Sequence, residues 1–220
     1  MIADILPAAV ASAETFGDTP DAMLFPDEEA VITRAVDKRR REFITGRACA
    51  RAALAELGYP PAPIVPGERG APQWPPGVVG SITHCRGYRA SAVALARNVL
   101  ALGVDAEPNG PVPDGVLDAV ASPGEQAGLR TLAASRPGVH WDRLLFSAKE
   151  AVYKAWFPLT RRWLGFEDAS VRIDPAGGTF TARLHVTGPV LAGKTLEQLT
   201  GKWLMRDGLI ATALVLTAEA

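Results

Sequence analysis

Apolar residues recur at helical spacing through the first quarter of the chain. Val31, Ile32, Ala35 and Val36 are followed by Phe43, Ile44, Ala48 and Leu54. Steps of three and four put such residues on one buried side. Asp27 is the expected N-cap, with Glu28 and Glu29 in the first turn, where carboxylates suit the positive end of a helix dipole. The pattern fits one helix or two, and Gly58 is the expected stop. Residues 60–76 are rich in Pro and Gly and read as an irregular loop. Three strand-like runs follow, at residues 77–83, 89–96 and 100–107, with Gly87 as a hairpin turn between the first two.

The second half repeats the theme. Residues 123–134 predict a helix capped by Ser122 with Pro123 at its first position. Residues 140–157 predict another, stopped by Pro158. Strands are expected at 170–174, 179–186, 202–206 and 209–216, and Asp207-Gly208 is a strong hairpin signal between the last two. A helix and then antiparallel strands, twice, predicts an α+β protein of two similar lobes. Pro108, Asn109, Gly110, Pro111 and Pro113 mark the expected boundary, giving lobes at 1–108 and 109–220.

Composition narrows the partners. The chain has 220 residues, 48% of them apolar, enough for a substantial core. Its 23 basic and 24 acidic residues leave a formal charge of −1, so no basic footprint points to nucleic acid. Cys49 and Cys85 are the two cysteines, which argues against a disulfide scaffold or a zinc site. Residues 1–13 lack a basic n-region and read poorly as a secretory signal, and no apolar run is long enough to span a membrane. A reducing cytoplasm and no membrane partner are the expectation.

Candidate chemistry gathers in a few short segments. Asp105 and Glu107 stand two apart on a predicted strand and so share a face. Paired carboxylates there suit a hard cation such as Mg2+, although a strand end leaving the core with both acids solvated reads the same way. Lys149, Glu150, Tyr153 and Lys154 fall within about half of a helix circumference, and Glu150 to Lys154 is also an ordinary i,i+4 ion pair. Arg39, Phe43 and Arg47 step by four along one helix edge, and arginines so placed clamp phosphate well. Residues 68–72 add Arg69 in a constrained turn. Ser81 and Thr83 share a strand face that ends at His84, and Cys85 beside it raises the idea of a thiol nucleophile.

The order of these segments resembles the 4′-phosphopantetheinyl transferases of the surfactin and enterobactin synthetase type. The matching stretches are R-R-R-E-F-I-T-G-R at 39–47, E-R-G-A-P at 68–72, G-S-I-T-H at 80–84, G-V-D-A-E at 103–107 and S-A-K-E-A-V-Y-K at 147–154. The Lys-Glu-Ala form, with Trp141 ahead of it, and residues 155–168 are similar to actinobacterial members. The resemblance implies two α+β lobes with coenzyme A in the cleft between them. It implies transfer of the 4′-phosphopantetheine arm to a serine of an acyl or peptidyl carrier protein, releasing adenosine 3′,5′-bisphosphate. It implies Mg2+, with Mn2+ as a substitute, on Asp105, Glu107 and Glu150, with Glu150 also the candidate base. Asp105, Glu150 and Lys154 would carry catalysis, Lys154 and Lys149 stabilising the diphosphate. Arg39, Arg47 and His84 would take the 3′-phosphate, with Ser81 near the phosphates. Arg69, Gly70 and Pro72 would line the adenine side. Tyr153, Phe146, Trp163 and Leu164 would pack along the arm. Many relatives carry Lys where Arg69 stands. A monomer is the expected state. A pyrophosphohydrolase and a carrier-binding module with a decayed site are the competing readings.

Overall fold

Turn chemistry and strand pairing organise the first half of the chain. The computed structural model describes residues 1–191 and 193–218. Strand β1 (Val10–Thr15) precedes two helices, α1 (Pro26–Ile32) and α2 (Asp37–Glu56), and the strands β2 (Val78–Cys85) and β3 (Tyr88–Leu95). These strands form an antiparallel sheet in the order β1-β3-β2, with α2 packed on β1 and β3. The expected first helix is two helices. The break falls at residues 33–36, and α1 begins at Pro26, so Asp27 lies in its first turn rather than at its cap. Gly58, at φ +82°, does follow the end of α2. Strand β1 had no clear pattern in the sequence, because only Val10 of its six residues is fully buried. Glu14 fixes this edge by accepting from the Met1 ammonium, the Ile2 amide and the Tyr88 hydroxyl.

The second half builds a larger sheet. It contains β4 (Val99–Pro108), α3 (Val116–Val120), α4 (Pro123–Ser135), α5 (Trp141–Thr160), β5 (Ala169–Asp174) and β6 (Thr179–Leu184). The short pair β7 (Val190–Leu191) and β8 (Lys194–Thr195) leads to β9 (Gln198–Arg206) and β10 (Leu209–Thr217). Five strands pair in the order β4-β10-β9-β6-β5, all antiparallel. Asp207 and Gly208 both have positive φ, the geometry of the predicted two-residue hairpin. Ser122 caps α4 by accepting from the Glu125 amide, as its sequence predicts. Helix α5 runs past Pro158 to Thr160 and ends where Arg161 turns left-handed. A proline this close to a helix end removes one donor without breaking several turns.

The fold is α+β, and each lobe sets one 20-residue helix against an antiparallel sheet. The acidic strand departs from the expected boundary after residue 108. It hydrogen-bonds along β10 and so belongs to the second sheet. It also lies beside β2, and among the described residues no main-chain ladder joins those two strands. Hydroxyls bridge them instead. Ser81 Oγ accepts from the Val104 amide at 3.1 Å, and Thr83 Oγ1 accepts from the Ala106 amide at 2.9 Å. No helix among the described residues is long and apolar enough to cross a membrane.

Candidate functional site

Close packing at Gly103 brings α5 onto the acidic strand. A Cβ at this position would lie 2.0 Å from the Ala151 carbonyl oxygen and 2.7 Å from the Ala155 amide nitrogen. Only glycine permits that approach. It places Lys154 against β4, where its ammonium donates to Asp105 Oδ1 at 2.6 Å and to the Val104 carbonyl at 3.2 Å. Thr83 Oγ1 donates to the same Oδ1 at 3.3 Å. The other oxygen, Asp105 Oδ2, is buried without a hydrogen-bond partner among the described residues. A buried orphan carboxylate oxygen is costly and marks a position that wants a cation or a donor.

Two further carboxylates surround Asp105 electrostatically. Burial and then Asp105 push the Glu107 carboxyl up to about 7, against the pull of Arg143 and Lys154. Burial also raises Glu150, opposed by Lys154 and reinforced by Asp105. Arg143 holds Glu107 at 3.3 Å while donating to the carbonyls of Gly110 and Pro111. Sequence reasoning missed Arg143. Its signal was available, since Arg143, Ser147, Glu150 and Lys154 follow helical spacing of four, three and four.

A cavity of about 260 Å³ opens between the lobes. One wall is the α2 face bearing Arg39, Glu42, Phe43 and Arg47, and the opposite end carries Glu150, Tyr153 and Lys154. Arg47 lies 3.8 Å over the Phe43 ring, with its Nε on the Ile64 carbonyl. Burial draws its pKa down to about 10, so it stays cationic at neutral pH. Arg39 Nη1 lies 2.6 Å from His84 Nε2. Burial, followed by the Arg39 charge, draws His84 down to about 4. A second cavity of about 270 Å³ is lined by Lys149, Val152, Trp163 and Leu164. Glu150 and Tyr153 border both cavities and mark their junction.

Comparison with known proteins identifies the arrangement. Residues 27–94 match the 4′-phosphopantetheinyl transferase N-terminal domain, and residues 101–206 match the 4′-phosphopantetheinyl transferase superfamily. The chain is 56% identical to 4′-phosphopantetheinyl transferase Svp of Streptomyces mobaraensis, over all of this chain and 91% of that protein. It is 50% identical to 4′-phosphopantetheinyl transferase PptT of Mycobacterium tuberculosis, over 98% of each. The chain belongs to the 4′-phosphopantetheinyl transferase superfamily. A more distant relative, enterobactin synthase component D of Salmonella typhi, is 34% identical over 80% of this chain and 71% of that protein. The resemblance drawn from five motifs, including its actinobacterial character, therefore holds.

Within this transferase the structure brings most of the expected residues together. Arg69, Gly70, Pro72 and Ser81 border the first cavity with Arg39, Arg47 and His84. Arg69 is left-handed at φ +52°, and its guanidinium lies 5.1 Å over the Trp163 ring, a contact that a lysine would not reproduce as a planar stack. The Ser81 hydroxyl is committed to the seam with Val104 rather than turned to the cavity. Tyr153 packs edge-on to Trp163, and its buried hydroxyl has no hydrogen-bond partner among the described residues.

Two expected residues are placed differently. The Lys149 ammonium donates to the Val120 carbonyl at 2.7 Å, to the Phe166 carbonyl at 2.8 Å and to Glu125. An ammonium has three donors, and these acceptors engage all of them. Lys149 thus holds the second lobe together instead of facing the Asp105–Lys154 group. Phe146 packs on Phe166 and does not line either cavity. Burial pushes the Cys85 thiol up to about 12, the wrong direction for a nucleophile. Glu42 is a cavity residue that the sequence did not single out.

Proposed function

We propose that this transferase moves the 4′-phosphopantetheine arm of coenzyme A to a serine hydroxyl of an acyl or peptidyl carrier protein and releases adenosine 3′,5′-bisphosphate. The observation that carries this reading is the position of Glu150. It stands where a cavity walled by cationic side chains meets a largely apolar one, beside Asp105 and Lys154. A nucleotide with a 3′-phosphate and a diphosphate at one end and a long thiol-bearing arm at the other matches that division.

The donor set suits a divalent cation. Asp105 Oδ2 is an orphaned buried oxygen, burial and then Asp105 raise Glu107 to about 7, and burial, reinforced by Asp105, raises Glu150 above the usual carboxylate range. Among the described residues no three His, Cys, Asp or Glu side chains converge closely enough to hold an ion as they stand. Lys154 and Arg143 occupy two of the carboxylates, so binding would exchange those partners for the ion. Asp105, Glu107 and Glu150 would hold Mg2+ or Mn2+, which would supply charge neutralisation for the diphosphate.

The chain's own groups divide the remaining work. Arg39, Arg47 and His84 anchor the 3′-phosphate end. Tyr153, Trp163 and Leu164 line the arm. The serine oxygen attacks the pantetheine-side phosphorus, and the bond from that phosphorus to the bisphosphate oxygen breaks. Glu150 in its ionised form, its proton affinity raised by burial, receives the proton that the serine loses. Lys154 offsets charge growing on the departing bisphosphate.

The test is the intact mass of an apo carrier protein after incubation with the transferase, coenzyme A and Mg2+. A gain of one phosphopantetheine, lost when Mg2+ is omitted, is the expected result. Release of adenosine 3′,5′-bisphosphate without a carrier would point to hydrolysis instead. Glu150→Ala should abolish the gain while leaving the far-ultraviolet circular dichroism intact, and near-normal turnover would remove Glu150 from the mechanism.

A further inference from the structure

Glu42 is an odd neighbour for an anion. It lies on α2 one turn from Arg39, is 7% exposed and borders the cavity assigned to phosphate. Its ionic neighbours are Lys38 at 4.0 Å and His84 Nδ1 at 3.6 Å. A guanidinium only donates, so the Arg39 contact makes His84 Nε2 an acceptor and leaves the ring proton on Nδ1, the nitrogen nearest Glu42. The charged groups facing the ring are Arg39 and Glu42 from α2, Lys154 from α5 and Arg89 from β3. Glu42 is the one carboxylate among them.

We propose that Glu42 is a positioning residue that makes His84 a hydrogen-bond donor to the bound 3′-phosphate. The inference rests on the reading that Arg39 and His84 receive that phosphate. An arriving phosphate draws the Arg39 guanidinium to itself and leaves the His84 Nε2 lone pair facing a phosphate oxygen. Two acceptors then oppose each other. A proton taken from solvent onto Nε2 turns that repulsion into a charge-assisted hydrogen bond. Three nearby cations oppose the protonation, and Glu42 at Nδ1 with the phosphate at Nε2 offsets them. Binding of the 3′-phosphate is therefore coupled to proton uptake, with Glu42 as the counter-ion to the imidazolium.

The experiment is isothermal titration calorimetry of the full chain with coenzyme A and with 3′-dephospho-coenzyme A. Each titration is repeated, without Mg2+, in buffers of different ionisation enthalpy. Working at about pH 8 keeps the phosphate itself a dianion. The expected result is greater proton uptake for coenzyme A than for the dephospho form, and tighter binding of coenzyme A. Glu42→Gln should remove the excess uptake and about tenfold of the discrimination, the equivalent of one pKa unit. Glu42→Asp should restore part of both, and binding of the dephospho form should change little. If the wild-type chain discriminates without excess uptake, or if Glu42→Gln keeps both, the role of Glu42 is overturned. If the wild-type chain binds the two nucleotides alike, the placement of the phosphate fails instead. If Glu42→Gln does not fold, Glu42→Asp carries the test, and excess uptake and discrimination equal to those of the wild type would overturn the role of Glu42.

Discussion

Glu107 shows how much of the site is set by the surroundings of one side chain. Its carboxyl is raised from its ordinary value of 4.5 to about 7 by burial and by Asp105. Between those values the folded protein holds a proton that the unfolded chain has lost. The stability this contributes is complete below about 4.5 and lost as pH rises through about 7. Under the proposed coordination a divalent cation would have to displace the same proton, so its binding would strengthen with pH over that range. The rise in Tm on adding Mg2+ should therefore be larger at about pH 8 than at about pH 6. In Glu107→Gln the pH dependence of that rise should shrink. Thermal unfolding with and without the ion checks it, and an equal rise at both pH values would remove Glu107 from the ion's coordination. The acidic residues were legible as residue types, and their shared face followed from strand periodicity. Their burial was not, because it depends on α5 lying against β4.

At the scale of elements, spacing along a helix located the Lys-Glu pair but could not say which way each side chain points. Lys149 and Lys154 both sit on α5, one over each side of the Glu150 ridge. Lys154 reaches the acidic strand, whereas Lys149 turns inward to α4, where Glu125 also caps Ser122 and covers the Val171 amide of edge strand β5. The Lys149–Glu125 side chains are 4% and 5% exposed. Removing one partner leaves the other charge buried, so Lys149→Ala should cost about 3–5 kcal/mol in chemical denaturation. Coenzyme A affinity of the folded fraction should be nearly unchanged, and a selective loss of affinity would return Lys149 to the phosphate site. The hydroxyl seam is a second feature of this scale. Thr83→Val keeps the volume but strands the buried Ala106 amide and frees Asp105 of one donor. A loss of about 1–3 kcal/mol in stability is expected, with slower carrier modification. Unchanged stability would mean that the Thr83 bridge adds nothing to the seam.

For the whole molecule, the deciding relation is long-range and so was hidden from local pattern. The sequence marked the helices, the Asp207-Gly208 and Gly87 turns and the repeated helix-then-strands order, because each depends on neighbours a few residues apart. It did not show that the acidic strand leaves the first lobe to pair with β10 near the end of the chain. Nor did it show that β2 meets that strand through hydroxyls. Gly103 is where these relations become a single constraint. It sits between strand residues that serve the seam on one side and the α5 backbone on the other. A methyl group there meets main-chain atoms of Ala151 and Ala155, which cannot rotate away. Gly103→Ala must push α5 off β4, and Glu150 and Lys154 move with the helix while Asp105 stays with the strand. Overpacking of this kind typically costs about 1–3 kcal/mol, so a folded fraction should persist for study. In that fraction the carrier mass gain should fall far more than coenzyme A affinity, because the α2 wall with Arg39 and Arg47 is untouched. Parallel loss of affinity and transfer would mean that α5 positions the nucleotide as a whole, and wild-type turnover would mean that the Asp105–Lys154 contact is not needed for transfer.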